Sequence, residues 1–151
     1  MVLQTLCKTI TRVKNPYMLL LFLMREKPSA TLLRKRYSKT ATYLTVQTGE
    51  DKHITLQPEF LQYINHSCYP NVFFDTTAMQ LVALKEIQPG DELMFFYPST
   101  EWDMSQPFDC FCGTTQCLHR IQGAAYLSDE EAKRYRLTDF INEKFQTRKE
   151  K

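Results

Sequence analysis

Three cysteines crowd into eight positions of this 151-residue chain, as Cys110-x-Cys112-x4-Cys117. Zinc takes four soft ligands in a tetrahedron, with Zn–S about 2.3 Å. A loop this tight can wrap one ion, and Gly113 permits the sharp turn between the thiols. The loop lacks a fourth ligand of its own, however, and Cys7 and Cys68 are the only other cysteines. Cys68 is the better candidate, because it stands in a polar run, Asn65-His66-Ser67-Cys68-Tyr69-Pro70-Asn71. If it closes the tetrahedron, residue 68 must meet residues 110–117, and the C-terminal part of the chain is tied back onto the middle. Cys7 is then spare. The bland alternative is a set of small buried hydrophobes or disulfides. An odd count of five fits poorly with a closed disulfide framework. His119 reads as a surface residue rather than a competing ligand.

Between the two thiol segments lies Gly90-Asp91-Glu92-Leu93-Met94-Phe95-Phe96-Tyr97, an aromatic run that ends in a phenol. The polar turn, the aromatic strand and the metal loop are each weak signals. In this order and at these separations they describe a hollow that holds a small cofactor beside a tyrosine hydroxyl, closed by a cysteine-bound lid.

The remaining composition bounds the reading. Apolar residues make up 43% and aromatics 13% of the chain, which is globular rather than disordered composition for one domain. The net charge of +2 is too mild to argue for nucleic acid, so no direct nucleic-acid partner is expected. The apolar run Met18 to Met24 is too short to span a bilayer, which needs about 20 residues. Lys8, Arg12 and Lys14 precede it, but Arg25, Glu26 and Lys27 follow at once without a small-x-small cleavage site, so a buried helix or strand is expected in place of a signal peptide. No membrane association is expected, and an intracellular monomer is, with nucleus and cytoplasm not distinguished. The Asn65-His66-Ser67 sequon is idle without a secretory route.

Residues 1–41 are rich in Leu, Lys and Arg and show no clear period; Leu32 to Tyr37 reads as a solvated basic segment. From Thr42 onward short β-rich runs follow one another: Tyr43–Gln47, a turn at Thr48–Asp51, Lys52–Leu56, Asn71–Asp75, Gln80–Leu84 and Glu92–Tyr97. Pro58–Ile64 suggests a short helix. Ser128 with Glu131 forms a capping box that starts a helix at about Asp129, and Thr138 caps a second, whose Leu137, Phe140, Ile141 and Phe145 should pack on the body.

These residues carry a family likeness. Asn65-His66-Ser67-Cys68-x-Pro70-Asn71 and Gly90-Asp91-Glu92-Leu93-x-Phe95-x-Tyr97 resemble the two closing motifs of SET-domain protein lysine methyltransferases. Cys110-Phe111-Cys112-Gly113-x3-Cys117-Leu118 resembles the post-SET zinc loop, which in that family recruits the cysteine of the Asn-His motif. The resemblance runs from about Thr42 to Leu127. It implies a mainly β fold of short strands with a pseudoknot around Asn65 and Tyr97, a post-SET zinc loop and C-terminal helices. The expected division is an atypical segment 1–41, a SET core 42–108, a post-SET loop 109–127 and a helical tail 128–151. The resemblance further implies S-adenosylmethionine bound by Asn65, His66, Tyr63 and Leu118, with Tyr97 catalytic. Phe95 would tune how many methyl groups are added, and a Phe there usually permits more than one. Phe95, Phe96 and Trp102 would wall a channel for the lysine of a protein substrate. The metal set is Cys68, Cys110, Cys112 and Cys117 around Zn2+.

The chemistry agrees with those residue types. Methyl transfer from a sulfonium to an amine is an in-line displacement that depends on alignment. The lysine must arrive neutral, which costs about 4 kcal/mol at neutral pH. An aromatic channel lowers that cost by disfavouring the ammonium.

One part of the family pattern is missing. The Gly-x-Gly strand pair that cradles the methionine part of the cofactor has no counterpart, because the first 48 residues contain no glycine. Gln62 also stands where an arginine is common, and Tyr63 where phenylalanine is. Three readings stay open: a divergent but cofactor-binding N-terminal part, a chain start read in the wrong frame up to about Lys39, or a catalytically impaired, zinc-stapled SET-like module that binds a protein partner.

Overall fold

The computed structural model describes residues 29–31 and 36–150, with side chains from Tyr37 onward. Cys7, the Met18 to Met24 run and most of the basic segment lie outside the described residues.

Among the described residues ten short strands make four small sheets. β1 (Ser29–Thr31), β7 (Gln80–Ala83) and β6 (Val72–Asp75) form one antiparallel sheet, in that order. β2 (Arg36–Ser38), β4 (Lys52–Thr55) and β3 (Thr45–Gly49) form a second. β9 (Phe108–Asp109) and β10 (Arg120–Ile121) pair antiparallel. β5 (Asn65–His66) and β8 (Met94–Phe95) pair in parallel, with Asn65 opposite Met94 and His66 opposite Phe95. The expected hairpin over residues 43–56 is present as β3–β4, with a register shift between Gln47 and Gly49 at its turn. β1 and β2 carry no period in the sequence; their pairing is decided by the partner strands. Among the described residues no helix is long and apolar enough to cross a membrane.

The strand expected over residues 92–97 is only two residues long, for two reasons. Proline at 98 removes a donor, and Tyr97–Ser99 closes into a 3-10 turn. Ahead of it, a side chain takes the place of a neighbouring strand. The Asn71 amide donates to the Glu92 carbonyl at 2.8 Å and accepts from the Met94 N–H at 2.8 Å. An asparagine amide carries the donor and acceptor of a peptide, so one buried residue pairs the backbone as a strand would.

Adjacent strand residues point to opposite faces. Phe95 therefore enters the β core with Ile54, Leu56, Leu61, Ile64, Val72 and Phe74, meeting Phe74 edge-on at 4.7 Å. Phe96 turns into a second core with Ala124, Leu127, Ile141 and Phe145, and stacks on Tyr135 at 3.6 Å. Its partners come from the tail. Helix α1 (Asp129–Ala132) starts at the expected capping box of Ser128 and Glu131, and α2 (Asp139–Lys149) starts at Thr138, whose hydroxyl accepts from the Ile141 N–H. The chain after Tyr97 is the ledge on which the tail is laid. Ala124 donates to the Glu101 carbonyl and Ala125 to the Trp102 carbonyl, both at 2.8 Å, and Thr138 donates to the Ser99 carbonyl at 3.0 Å. Gly123 makes this approach possible. Its φ of 118° is closed to other residues, and a Cβ there would stand 2.5 Å from the Trp102 carbonyl oxygen.

Candidate active site

The four cysteines converge. The sulfurs of Cys68, Cys110, Cys112 and Cys117 all lie within 4.8 Å of one another. Four thiolates around one zinc at the usual bond length would stand about 3.8 Å apart. Cys68 and Cys110 are buried and pack with Ile121. Gly113 turns the loop at φ 70°, as its position between the thiols suggests, and His119 is exposed and outside the cluster. The Leu118 N–H donates to the Cys68 sulfur at 3.4 Å, and the Thr114 hydroxyl lies 3.3 Å from the Cys112 sulfur. Burial pushes the Cys68 thiol up beyond its ordinary range and the Cys110 thiol up to about 11. Four adjacent thiols cannot all ionise unaided. A divalent cation would supply the missing positive charge, and the all-sulfur donor set suits zinc.

The polar turn is wired to the aromatic strand by its own atoms. Ser67 donates to the Phe95 carbonyl at 3.1 Å, and its hydroxyl accepts from the Tyr69 N–H at 3.0 Å. The Tyr97 N–H donates to His66 Nδ1 at 3.2 Å. That bond assigns the ring proton to Nε2, which faces the Cys68 sulfur at 3.4 Å. Burial holds His66 down to about 4, so the ring is neutral near pH 7 and links Tyr97 to the thiol cluster. Gln116 and Tyr135 both donate to the Cys68 carbonyl, the latter at 3.1 Å. The Tyr97 hydroxyl donates to the Ile64 carbonyl at 3.0 Å. Burial raises its pKa, so it stays protonated.

Two hollows meet at Asn65, Tyr97 and Phe108. The first, about 660 Å3, is bounded by Asn65, His66, Tyr97, Phe108 and the loop residues Cys110 to Cys112. The second, about 580 Å3, is bounded by Tyr63, Ile64, Phe95, Tyr97, Glu101 and the start of β3. Both volumes are in the range of small-molecule sites.

The expected site residues divide between them. His66 borders the first hollow, Phe95 the second, and Asn65 and Tyr97 both. Tyr63, expected at the cofactor, is 56% exposed and lines the second hollow instead. Leu118 packs between the tail core and the thiol cluster, and lines neither. Phe96 and Trp102 also line neither. Phe96 faces away from Phe95 by strand alternation, and Trp102 packs edge-on against Phe145 at 5.5 Å. Of the three aromatics expected to wall one channel, only Phe95 lines either hollow.

Residues that the motifs did not single out complete the site. Phe108 contacts both His66 at 5.5 Å and Tyr97 at 5.9 Å. Phe111 is 91% exposed at the rim of the first hollow, an aromatic face held between two cysteines of the thiol cluster. Glu92 accepts from the Asn65 amide at 2.6 Å. Phe111 and Glu92 sit inside the two motifs and could have been found from that; Glu101 lies beyond them and left no signal.

The arrangement agrees with comparisons to known proteins. The SET domain family model matches residues 7–98, more than half of the chain and most of the stretch that reads as atypical. The chain belongs to the SET-domain family. It is 43% identical over 104 residues to methyltransferase flvH of Aspergillus flavus, covering 68% of this chain and 58% of that protein. It is also 30% identical over 87 residues to the histone-lysine N-methyltransferase, H3 lysine-36 specific, of Aspergillus oryzae, covering 54% of this chain and 9% of that protein. The corresponding Saccharomyces cerevisiae protein is 26% identical over 95 residues. The chain therefore spans a little over half the length of flvH and about a tenth of the histone enzymes.

Proposed function

We propose that this chain is a protein-lysine N-methyltransferase that uses S-adenosylmethionine and is stapled by one structural zinc ion. The observation that carries the reading is the position of Tyr97, which with Asn65 and Phe108 lines both hollows. Asn65, His66, Phe108 and Phe111 would hold the cofactor in the first. The lysine of a protein substrate would enter the second from the other side, past Phe95. Bound there, the cofactor supplies an activated methyl group for in-line displacement by an amine.

The chain's own residues do the rest. Tyr97 donates its proton to the Ile64 carbonyl, so its lone pairs are left to accept an amine N–H and turn the amine's lone pair toward the first hollow. Burial keeps the phenol protonated, which suits an orienting group and not a base. His66, neutral and bridged to Cys68, fixes the backbone of Tyr97. The zinc loop would then hold Phe108 and Phe111 over the first hollow. The relatives' names support methyl transfer; the substrate protein, its lysine and the compartment are not inferred from them.

Calorimetry with S-adenosylmethionine distinguishes this reading from a non-enzymatic SET-like module: binding heat is expected for the first and none for the second. Radiolabelled methyl transfer onto lysates should then be lost in Tyr97→Phe, by about 100-fold or more if alignment is its role. Full activity in that variant would sink the assignment.

A further inference from the structure

The second hollow is lined by neutral groups with one exception. Thr45, Val46, Leu61, Ile64, Phe95 and Tyr97 are among its walls, and among the described residues Glu101 is the single formally charged side chain in its lining. The other groups there that can titrate are the tyrosines Tyr43, Tyr63 and Tyr97; among the described residues no lysine, arginine, histidine or second acid faces it. Glu101 follows Tyr97 by one turn, with its N–H donating to the Tyr97 carbonyl at 3.2 Å. One carboxylate oxygen, Oε1, is engaged: it accepts from the Gln47 N–H at 2.8 Å and lies 3.4 Å from the Thr100 hydroxyl. The other, Oε2, has no protein hydrogen bond among the described residues, yet it is not one of the sealed, unpartnered atoms, which are His53 Nδ1 and Ser99 Oγ. It therefore retains access to the hollow.

A largely buried carboxylate without a cation is costly to the fold. Here burial raises the Glu101 pKa to about 7, and the hydrogen bonds from Gln47 and Thr100 offset it only in part. Groups held in this state concentrate at functional sites. The missing partner is a cation, and the hollow is open to receive one.

We propose that Glu101 receives the cationic side chain of the substrate, pairing its free oxygen with the incoming ammonium and selecting lysine over neutral side chains of the same length. The proposal rests on the second hollow being the substrate side, as argued above. Reception and methyl transfer make opposite demands on the amine, charged to be drawn in and neutral to attack. A carboxylate whose proton affinity lies near neutrality serves both. One N–H bond breaks and one O–H bond forms at Oε2, leaving two neutral groups in the hollow, and the acid then returns its proton to solvent through the mouth.

The test uses the full zinc-loaded chain, 15N-labelled, titrated with N-acetyl-lysine methylamide and with its norleucine counterpart as neutral control. In the unchanged protein the lysine compound should shift the amides of residues 44–47 and 97–101 at a concentration at least tenfold lower. Glu101→Gln keeps an oxygen for the Gln47 N–H, and in it this preference should vanish. An equal preference in Glu101→Gln, or none in the unchanged protein, overturns the proposal. Calorimetry with S-adenosylmethionine on the same samples keeps the two readings apart: cofactor binding should survive Glu101→Gln, and its absence from the unchanged protein would sink the catalytic reading while the lysine preference is still read independently. Should Glu101→Gln not fold, the unchanged protein decides by pH. The preference should fall as pH is lowered from 8 to 5, because the carboxylate protonates while lysine stays charged; a preference that persists at pH 5 overturns the proposal.

Discussion

Asn71 shows what one side chain can do for a backbone. Its amide pairs residues 92 and 94 where no strand lies, and so holds the run that leads to Tyr97. Asn71→Ala leaves a part-buried carbonyl and a part-buried N–H without partners, each costing up to about 1–3 kcal/mol. A loss of about 2–4 kcal/mol is expected in urea denaturation of the zinc-loaded protein; a loss under about 0.5 kcal/mol would mean that these groups find water instead. Glu101 acts in the opposite sense. Its carboxyl titrates near 7 when folded against an ordinary value of 4.5, so between those values the folded state binds more protons than the unfolded state. Its stabilising protonation is fully present below the lower value and is lost as pH rises through the upper one. Glu101→Gln should accordingly raise stability at pH 8 by up to about 3 kcal/mol and change it little at pH 4. Thermal melts at the two pH values check this; a destabilisation at pH 8 would show that the ionised form is satisfied in the fold.

At the scale of elements, strand alternation and the tail's docking decide which aromatics belong to the site. Phe95 and Phe96 are neighbours in sequence and belong to different cores. Both could be placed on one channel wall only by treating an aromatic run as a patch, without its period of two. Trp102 is drawn away by Phe145, a residue 43 positions later, and no local pattern announces that contact. The tail was legible in its caps, because Ser128, Glu131 and Thr138 act through bonds to residues three positions away. Its seat was not, since it depends on Gly123 letting residues 123–126 lie against residues 101–103. Gly123→Ala brings a Cβ against the Trp102 carbonyl and a left-handed φ that alanine resists. A destabilisation of more than about 2 kcal/mol is expected, read as early hydrogen exchange of α2 amides. Unchanged protection of α2 would refute the account of the ledge.

At the scale of the molecule, the four-thiol cluster joins the polar turn to the loop and, through Tyr135 and Gln116 on the Cys68 carbonyl, to the tail. One zinc per chain is expected by elemental analysis of purified protein. Cys68→Ser should lower zinc affinity at least tenfold, and chelation should expose residues 108–127 to proteolysis before the β core. Full zinc retention in Cys68→Ser would detach the loop from the turn. The family, the convergence of the four thiols, the neighbours Asn65 and Tyr97, and the β hairpin could all be inferred from the sequence alone, because spaced thiols, motif order and period-two patterning are local properties of the chain. The two hollows, the absence of Phe96 and Trp102 from both, the presence of Phe108 and Phe111 at the first, the position of Tyr63 at the second, and the carboxylate of Glu101 were decided by tertiary structure. Each depends on which segments pack together across long separations, and on what burial does to a charge once they have.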